Sequence, residues 1–199
     1  MAEVGGGTGR YVRRLCSHFR TVLVFDISEG MAREAMRKFS SGEGPGTFHY
    51  FVADAERVPF RGRSVDCVVF AGVLSQMASP RMAIAEAGRI VKEGGCILGF
   101  DKNRSAFRPL FDLIMSLNPS WVGKSNPPDV VLSRSDLRTW FRDAGVPARM
   151  WTEVFVPPHV FNLLPPPGAE RLLWATNAVG SRLPWLRSQG GVVLFSGKR

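Results

Sequence analysis

The feature that most constrains the fold is a short strand that runs directly into a cluster of glycines. Residues 2–4 (AEV) predict the end of a β-strand, and four of the next five residues are glycine: Gly5, Gly6, Gly7 and Gly9. Glycine adopts positive φ without strain and lets the backbone approach a ligand closely. A glycine loop after a strand therefore predicts a nucleotide-like ligand at the carboxyl edge of a parallel sheet.

The first hundred residues alternate between predicted strands and helices. Further strands are predicted at 21–25, 49–53, 65–71 and 96–100, and helices at 10–19, 28–39 and 80–92. The run at 65–71 (VDCVVFA) is almost continuously apolar, which is typical of a strand covered on both faces. Strands separated by single helices favour a parallel sheet with right-handed crossovers.

The second half is less regular. It predicts helices at 106–117, 136–144 and 169–179, a loop rich in Asn and Pro at 118–132, and strands at 149–156 and 191–196. Ser135 or Ser133 is suited to cap the second of these helices. We expect one domain over residues 1–199, with an α/β, doubly wound, Rossmann-like sheet of about seven strands. Helices should cover both faces, and the last strands should form an antiparallel hairpin.

Composition excludes several classes of protein. The chain is 45% hydrophobic and 22% charged, which is ordinary for a globular domain. The three cysteines are far apart and not grouped with histidines, so we expect no disulfide framework and no metal site. There is no apolar stretch of membrane-spanning length and no signal-peptide pattern, so the sequence predicts no membrane span and a cytoplasmic location.

Two common phosphate-binding motifs do not fit the glycine loop. The dinucleotide pattern G-x-G-x-x-G would need a third glycine at Arg10 if counted from Gly5, or at Val12 if counted from Gly7. A P-loop would need a lysine after the glycines, and none is there. The ligand is therefore predicted to be of another nucleotide-like type.

The loop resembles the first motif of the class I S-adenosylmethionine-dependent methyltransferases, E-x-G-x-G-x-G. It stands here as Glu3-Val4-Gly5-Gly6-Gly7-Thr8-Gly9. Asp26 closes the second predicted strand and Asp54-Ala55 closes the third, at the spacing that this family shows. Residues 65–74 and 90–100 are similar to its fourth and fifth strands. The resemblance covers residues 2–101 and is strongest to the branch that acts on small metabolites, lipids and sugars.

The resemblance implies S-adenosylmethionine as cofactor and assigns roles around it. Glu3 would hold the methionine amino end, directly or through water, and orient the glycine loop. Asp26 would bind the ribose hydroxyls, for which two carboxylate oxygens are suited. Asp54 would accept from the adenine amino group, and Ala55 would leave room for the ring. As alternatives, Asp26 caps the following helix and Asp54 is a solvated aspartate at a strand end.

Four further residues complete the predicted cofactor site. Ile27 and Met31 would pack on the adenine face, or else belong to the core. Ala71 and Gly72 are small, which would let the backbone pass close to the methionine part.

No catalytic residue is assigned from the sequence. Methyl transfer depends strongly on orientation, and it needs a base only when the acceptor is protonated. Asp101 and His159 are candidates for such a base, with a structural role as the alternative for each.

The front of the chain departs from the family, which has one or two helices before the first strand. Either the natural start of the protein lies upstream, or the lid comes from residues 102–132, from residues 157–189 or from another subunit. We expect residues 102–132 and 157–189 to contain the determinants of the acceptor. The second segment combines aromatic residues with prolines. It is interpreted as the lining of a hydrophobic pocket, a helix on the sheet or a homodimer contact.

The function predicted by the resemblance is methyl transfer to an O, N or C atom of a small-molecule acceptor. An RNA or protein methyltransferase is an alternative, because a net charge of +9 would attract nucleic acid. Nucleic acid is kept as the less favoured partner, after a small-molecule acceptor. However, residues 70–73 (FAGV) stand where such N-methylating enzymes often carry Asn/Asp-Pro-Pro-Tyr/Phe. A non-catalytic binding or scaffold subunit with the same fold is the third hypothesis.

Overall fold

A computed structural model describes residues 1–39, 46–107, 109, 113, 130, 132–156 and 164–199. Its sheet has seven strands in the order β3-β2-β1-β4-β5-β7-β6. The strands are β1 (Ala2–Val4), β2 (Thr21–Asp26), β3 (Thr47–Val52), β4 (Val65–Ala71), β5 (Val91–Lys102), β6 (Ala148–Glu153) and β7 (Val192–Lys198). The α-helices are α1 (Val12–Cys16), α2 (Glu29–Phe39), α3 (Pro80–Ile90), α4 (Arg134–Asp143) and α5 (Pro166–Arg182), and Leu74–Gln76 form a short 3-10 helix after β4.

The sheet is doubly wound, as the sequence predicts. Strands β1 to β5 are mutually parallel, and β2 and β3 lie on one side of β1 while β4 and β5 lie on the other. The order reverses between β1 and β4, and the crevice at such a switch point is where open α/β sheets bind ligands. β7 is antiparallel to both of its neighbours, β5 and β6. The predicted antiparallel pairing at the end is confirmed, with α5 between its two strands.

Two apolar clusters cover the two faces of the sheet. Along β2, Val24 belongs to one cluster and its neighbour Phe25 to the other, and Cys67 and Val68 divide in the same way on β4. Successive side chains of a strand point to opposite faces, so the clusters lie on opposite sides. Helices α3 and α4 contribute to the cluster of Phe25, and α1 contributes to the cluster of Val24.

The first helix is shorter than predicted. α1 covers only Val12–Cys16, whereas the sequence predicts a helix over 10–19. The Ser17 hydroxyl donates to the carbonyl of Arg14, and Nδ1 of His18 lies 2.9 Å from the same oxygen. Side chains that bond to the backbone in this way compete with the helical ladder, so the helix ends at Cys16.

The fifth strand is longer than predicted and the third helix is shorter. α3 ends at Ile90, and β5 begins at once with Val91, which pairs with Val65. The prediction that the helix extends to residue 92 and that Gly94-Gly95 ends it is wrong. The glycines lie within β5 because the Gly94 N–H donates to the carbonyl of Arg199, and the Arg199 N–H donates to that of Gly95.

In the second half, α4 begins where a serine caps it. The Ser133 hydroxyl accepts the Asp136 N–H at 3.1 Å, so Ser133 and not Ser135 is the cap. α5 is longer than the predicted 169–179. The predicted helix at 106–117 and loop at 118–132 fall mostly outside the described residues. No helix in the described part of the chain is long and apolar enough to span a membrane.

Candidate functional site

The glycine loop needs glycine for two reasons. The φ angles of Gly5, Gly7 and Gly9 are 63°, 52° and 80°, a region that side chains disfavour. In addition, a Cβ atom at Gly5 would overlap the side chain of Val73. The N–H groups of Gly5 and Gly6 both donate to the carbonyl of Phe25, at 2.8 and 3.2 Å, which ties the start of the loop to β2.

Asp26, at the end of β2, holds both the loop and the entry to α2. Its Oδ2 accepts the Gly7 N–H and its Oδ1 accepts the Ser28 N–H, each at 2.9 Å. Ser28 then caps α2, because its hydroxyl accepts the Met31 N–H at 3.3 Å. Each carboxylate oxygen has a second lone pair, so Asp26 retains capacity to accept from a ligand.

Tyr50 is a contact of the loop that the sequence did not predict. It lies opposite Val24 in the register of β2 and β3, and its hydroxyl donates to the carbonyl of Gly7. Burial, and then the negative charges of Asp26 and Glu3, raise the pKa of Tyr50, so its hydroxyl stays protonated as a donor. A tyrosine near the carboxyl end of a predicted strand, between His49 and Phe51, is the signal that could have identified it.

Glu3 lies beneath the glycine loop rather than on its surface. The residue is 1% exposed, and its Oε2 has no hydrogen-bond partner within the described part of the chain. Desolvation by this burial raises the pKa of Glu3 to about 7. A buried acceptor without a donor is costly, so the site fits a ligand that brings a donor or a positive charge.

A cavity of about 310 Å³ opens where the loop meets the ends of β2, β3 and β4. Its described lining is Gly5, Phe25, Asp26, Ile27, Ala53, Asp54, Ala55, Glu56, Val73, Gln76, Met77 and Ala78. The cavity thus brings together Gly5, Asp26, Ile27, Asp54 and Ala55 from the predicted site. Ile27 is 73% exposed, so it is not a core residue. Small-molecule sites have volumes of this order and combine apolar walls with a few polar groups.

The other predicted residues do not line this cavity. Gly6, Gly7 and Gly9 form the loop at its edge, and Met31 is an exposed residue of α2. Ala71 ends β4, and the Gly72 N–H donates to the carbonyl of Phe100 at 2.9 Å.

The turn after β4 supplies lining residues that the sequence did not predict. Val73, Gln76, Met77 and Ala78 all contact the cavity. The Gln76 side chain is fixed by donation to the carbonyl of Gly72 at 3.0 Å. Their position after the carboxyl end of a parallel strand is the signal that could have identified them.

Asp54 has a partner of its own in the loop after β3. Its Oδ1 accepts the Glu56 N–H at 2.9 Å, and a Glu56 carboxylate oxygen accepts the Ser79 N–H at 2.6 Å. These bonds fix the turn after β3, whose residues Asp54 and Glu56 line the cavity.

Of the two candidate bases, Asp101 has a structural position. It is 1% exposed, and its carboxylate accepts the N–H groups of Ser75 and Lys102 at 3.1 and 2.7 Å. It joins the turn after β4 to the end of β5. His159 lies outside the described residues.

Comparison with known proteins identifies the first half of the chain. A family model described as a methyltransferase domain matches residues 2–99. The demethylmenaquinone methyltransferase of Protochlamydia amoebophila is 29% identical over 101 residues, 49% of this chain and 42% of that protein. The ubiquinone/menaquinone biosynthesis C-methyltransferase UbiE of Saccharophagus degradans is 31% identical over 109 residues, 52% of this chain and 44% of that protein. The chain thus spans less than half the length of these relatives.

Solved structures show the same fold over nearly the whole chain. The geranyl diphosphate C-methyltransferase of Streptomyces coelicolor A3(2), in complex with Mg²⁺, geranyl diphosphate and S-adenosyl-L-homocysteine, has a TM-score of 0.68 at 14% identity. The structural match covers all of this chain and 70% of the geranyl diphosphate C-methyltransferase chain. A SAM-dependent methyltransferase of Thermotoga maritima has a TM-score of 0.63 at 19% identity, covering 98% and 80%. Residues 2–99 therefore match a methyltransferase domain, and the fold is that of the S-adenosylmethionine-dependent methyltransferases.

Proposed function

We propose that the protein transfers a methyl group from S-adenosylmethionine to a small organic acceptor. The observation that carries this proposal is the unpartnered Oε2 of Glu3, buried beneath a glycine loop at the switch point of the sheet. S-adenosylmethionine has an ammonium group that would supply the missing charge, and a ribose and an adenine that suit the two aspartates beside the cavity.

The residues around the cavity fit the parts of this cofactor. Asp26 would accept from the ribose hydroxyls with its free lone pairs while it continues to hold Gly7. Asp54 would accept from the adenine amino group, with the small Ala55 and the exposed Ile27 beside the ring. Glu3 would balance the methionine ammonium, directly or through water. These assignments give a role to Asp26, Ile27, Asp54 and Ala55 beside the cavity and to Glu3 beneath the glycine loop.

The chain's own contribution to the chemistry is orientation and exclusion of water. When bound, S-adenosylmethionine supplies a methyl group on a positively charged sulfur, which a nucleophile can displace. Aligning such a nucleophile accounts for a large part of the acceleration in reactions of this kind. Val73 and Met77, from the turn after β4, give the cavity an apolar wall. No catalytic base is assigned, since Asp101 is 1% exposed and its carboxylate holds the turn after β4 to the end of β5.

For the acceptor, we propose an O, N or C atom of a metabolite, lipid or sugar. Two of the relatives are named for methylation in menaquinone or ubiquinone biosynthesis, so a quinone precursor with an acceptor ring carbon is the first to test. The similarity to those relatives supports the proposed cofactor more than the proposed acceptor, because the family match ends at residue 99 and covers only the part of the chain that forms the cofactor site. Residues 102–132 and 157–189 stay the proposed acceptor segments of one domain, in a cytoplasmic protein.

Calorimetry with S-adenosylmethionine and S-adenosylhomocysteine tests the cofactor site. We expect both to bind, and we expect Asp26→Ala and Asp54→Ala to weaken binding by roughly tenfold or more, the effect of losing a hydrogen bond to a charged group. Asp143→Ala removes the same charge from exposed α4, away from the cavity, and should leave affinity unchanged. If neither compound binds the wild-type protein, the proposal is wrong.

A second experiment separates an enzyme from a binding subunit of the same fold. The protein is incubated with methyl-labelled S-adenosylmethionine and fractions of small molecules from cell extract, including quinone precursors. Transfer of label to a small molecule, lost in the Asp26→Ala variant, supports the enzyme. Cofactor binding without transfer to any fraction would favour the non-catalytic subunit.

A further inference from the structure

A second cavity, of about 850 Å³, lies at the other end of the sheet between α4, β6 and α5. Three arginines line it. Arg134 and Arg138 come from successive turns of α4, and Arg187 comes from the segment between α5 and β7. Two separate parts of the chain, α4 and the segment before β7, therefore bring positive charge to one concave surface.

No carboxylate in the described part of the chain balances the charge of these arginines. Within the described ranges, none of the three guanidinium groups has a carboxylate in ion-pair distance. Burial, and then the positive charges of Arg138 and Arg187, lower the pKa of Arg134. The Nε of Arg134 is buried and has no acceptor in the described part of the chain. A buried donor without an acceptor is costly, and an anion in the cavity would remove that cost.

A single acidic residue, Glu153, contributes to the described lining, and its carboxylate is already in use. One oxygen accepts from Nε1 of Trp151 at 3.2 Å, and the other accepts from Nδ2 of Asn177 at 3.4 Å. Glu153 therefore orients the tryptophan and the amide rather than pairing with an arginine. Three guanidinium groups against one carboxylate leave the cavity with net positive charge.

Two tryptophans add apolar ring surface to the same cavity. Trp151, on β6, is 42% exposed, and Trp174, on α5, is 75% exposed. Exposure of such large side chains beside a cationic cavity is costly unless they serve a contact. Tryptophan faces stack well on planar rings, and guanidinium groups match the oxygens of a phosphate in bidentate geometry. The lining thus combines the two chemistries that a phosphate joined to a ring would need.

This cavity is separate from the candidate cofactor site. The cofactor cavity uses the turn after β4, whereas the second cavity uses β6, which is at the edge of the sheet. Three strand spacings separate β4 from β6, about 14 Å at the usual distance between neighbouring strands. Occupancy of the second cavity can therefore be measured independently of cofactor binding and methyl transfer.

We propose that the cavity between α4, β6 and α5 binds a phosphorylated small molecule with a planar ring, the chemistry that a mononucleotide supplies. Arg138 and Arg187 bind the phosphate, with Arg134 donating from beneath. Trp174 stacks on the ring.

The test is calorimetric titration of the whole chain with uridine 5′-monophosphate, uridine and inorganic phosphate. We expect the monophosphate to bind. Uridine alone and inorganic phosphate alone should each bind at least about tenfold more weakly, because the ring contact and the phosphate contact act together. The double variant Arg138→Gln/Arg187→Gln should weaken binding of the monophosphate by roughly tenfold or more. Trp174→Ala should weaken the binding of uridine and of the monophosphate by the same factor, because both carry the ring that stacks on Trp174.

A matched control separates the cavity from general positive charge. Arg171→Gln/Arg182→Gln removes two exposed arginines of α5 that do not line the cavity, and it should leave the affinity within about twofold. Absence of binding by the monophosphate overturns the proposal. Equal weakening in the two double variants also overturns it.

A short oligouridylate distinguishes the source of the phosphate and ring. If it binds more tightly than the monophosphate and loses that affinity in Arg138→Gln/Arg187→Gln, the ligand is a nucleotide unit of an RNA strand. If the oligomer gains nothing over the monophosphate, the ligand is a free small molecule.

Discussion

The carboxylate of Asp26 accepts the backbone N–H of Gly7, with 2.9 Å between Oδ2 and N, so the end of β2 fixes the middle of the glycine loop. The same carboxylate accepts the Ser28 N–H through its other oxygen. Asp26 is thus a structural residue of the loop as well as the proposed ribose ligand.

Asp26→Asn should lower the free energy of unfolding by about 1–3 kcal/mol, because an amide has one acceptor oxygen where the carboxylate has two charged ones. Urea denaturation measures the change. Glu29→Gln, in the exposed first turn of α2, is the control for loss of one negative charge. Equal stability of Asp26→Asn and wild type would show that the two bonds to Asp26 do not hold the loop.

Glu3 makes stability depend on pH in a defined direction. Its pKa is about 7 in the folded protein, against 4.5 for an exposed glutamate carboxyl. Between these values the folded state binds the additional proton, so the free energy of unfolding falls as pH rises from about 4.5 to about 7. The shift corresponds to a loss on the order of 3 kcal/mol.

Glu3→Gln should remove this pH dependence, because the amide stays neutral. We expect the variant to be more stable than wild type at pH 8 and similar to it at pH 4.5, as measured by urea denaturation at both. Its affinity for S-adenosylmethionine should fall if Glu3 balances the ammonium group. A variant that is less stable than wild type at pH 8 would contradict the burial of an uncompensated charge.

Gly5→Ala should lower the free energy of unfolding more than an alanine substitution at a glycine with open space around the added Cβ atom. Gly5 has both positive φ and a side chain, Val73, in the space that a Cβ would need. Gly94 has a φ of 75° and no atom within 4 Å of the added Cβ, so Gly94→Ala measures the backbone cost alone, about 1 kcal/mol. Thermal or urea unfolding of both should show a further loss of about 1–3 kcal/mol for Gly5→Ala. Similar losses would mean that Val73 moves aside.

Tyr50→Phe should lower the free energy of unfolding by about 1 kcal/mol, since the carbonyl of Gly7 loses its donor. Weaker cofactor binding should accompany the loss, because Gly7 lies at the edge of the cavity. Tyr11→Phe is the control, because the Tyr11 ring packs against Phe100. In the described part of the chain its hydroxyl makes no hydrogen bond to the glycine loop, unlike that of Tyr50. Denaturation and calorimetry of both variants check the prediction, which fails if Tyr50→Phe behaves like Tyr11→Phe.

The sequence predicted the parts of the site that depend on local pattern. The glycine loop, Asp26 and Asp54 each follow a strand, and their meeting at one edge follows from parallel strands. The contact of Tyr50 with Gly7 and the burial of Glu3 depend instead on which strands are neighbours and on the register in which they pair. Tyr50 reaches Gly7 only because β3 pairs with β2 opposite Val24.

Long-range pairing also explains where the predicted elements were wrong. Gly94 and Gly95 are typical helix breakers in the local sequence, yet they belong to β5 because Arg199, more than a hundred residues later, supplies hydrogen bonds to both. Val73 and Met77 follow a parallel strand, which indicates the correct edge of the sheet. Their place in the wall of the cavity depends on Asp101 of β5, which holds the turn after β4.

The position of β7 between β5 and β6 has a consequence for folding during synthesis. β6 leaves the ribosome before β7, but its sheet neighbour is β7. β6 therefore joins the sheet only when β7 has followed and paired with both β5 and β6. Phe195 of β7 also packs on Phe70 and Phe141, so the apolar face beneath α4 stays open to water until then. The nascent chain would complete its glycine loop early and keep part of its apolar surface exposed, a state prone to aggregation, until β7 inserts.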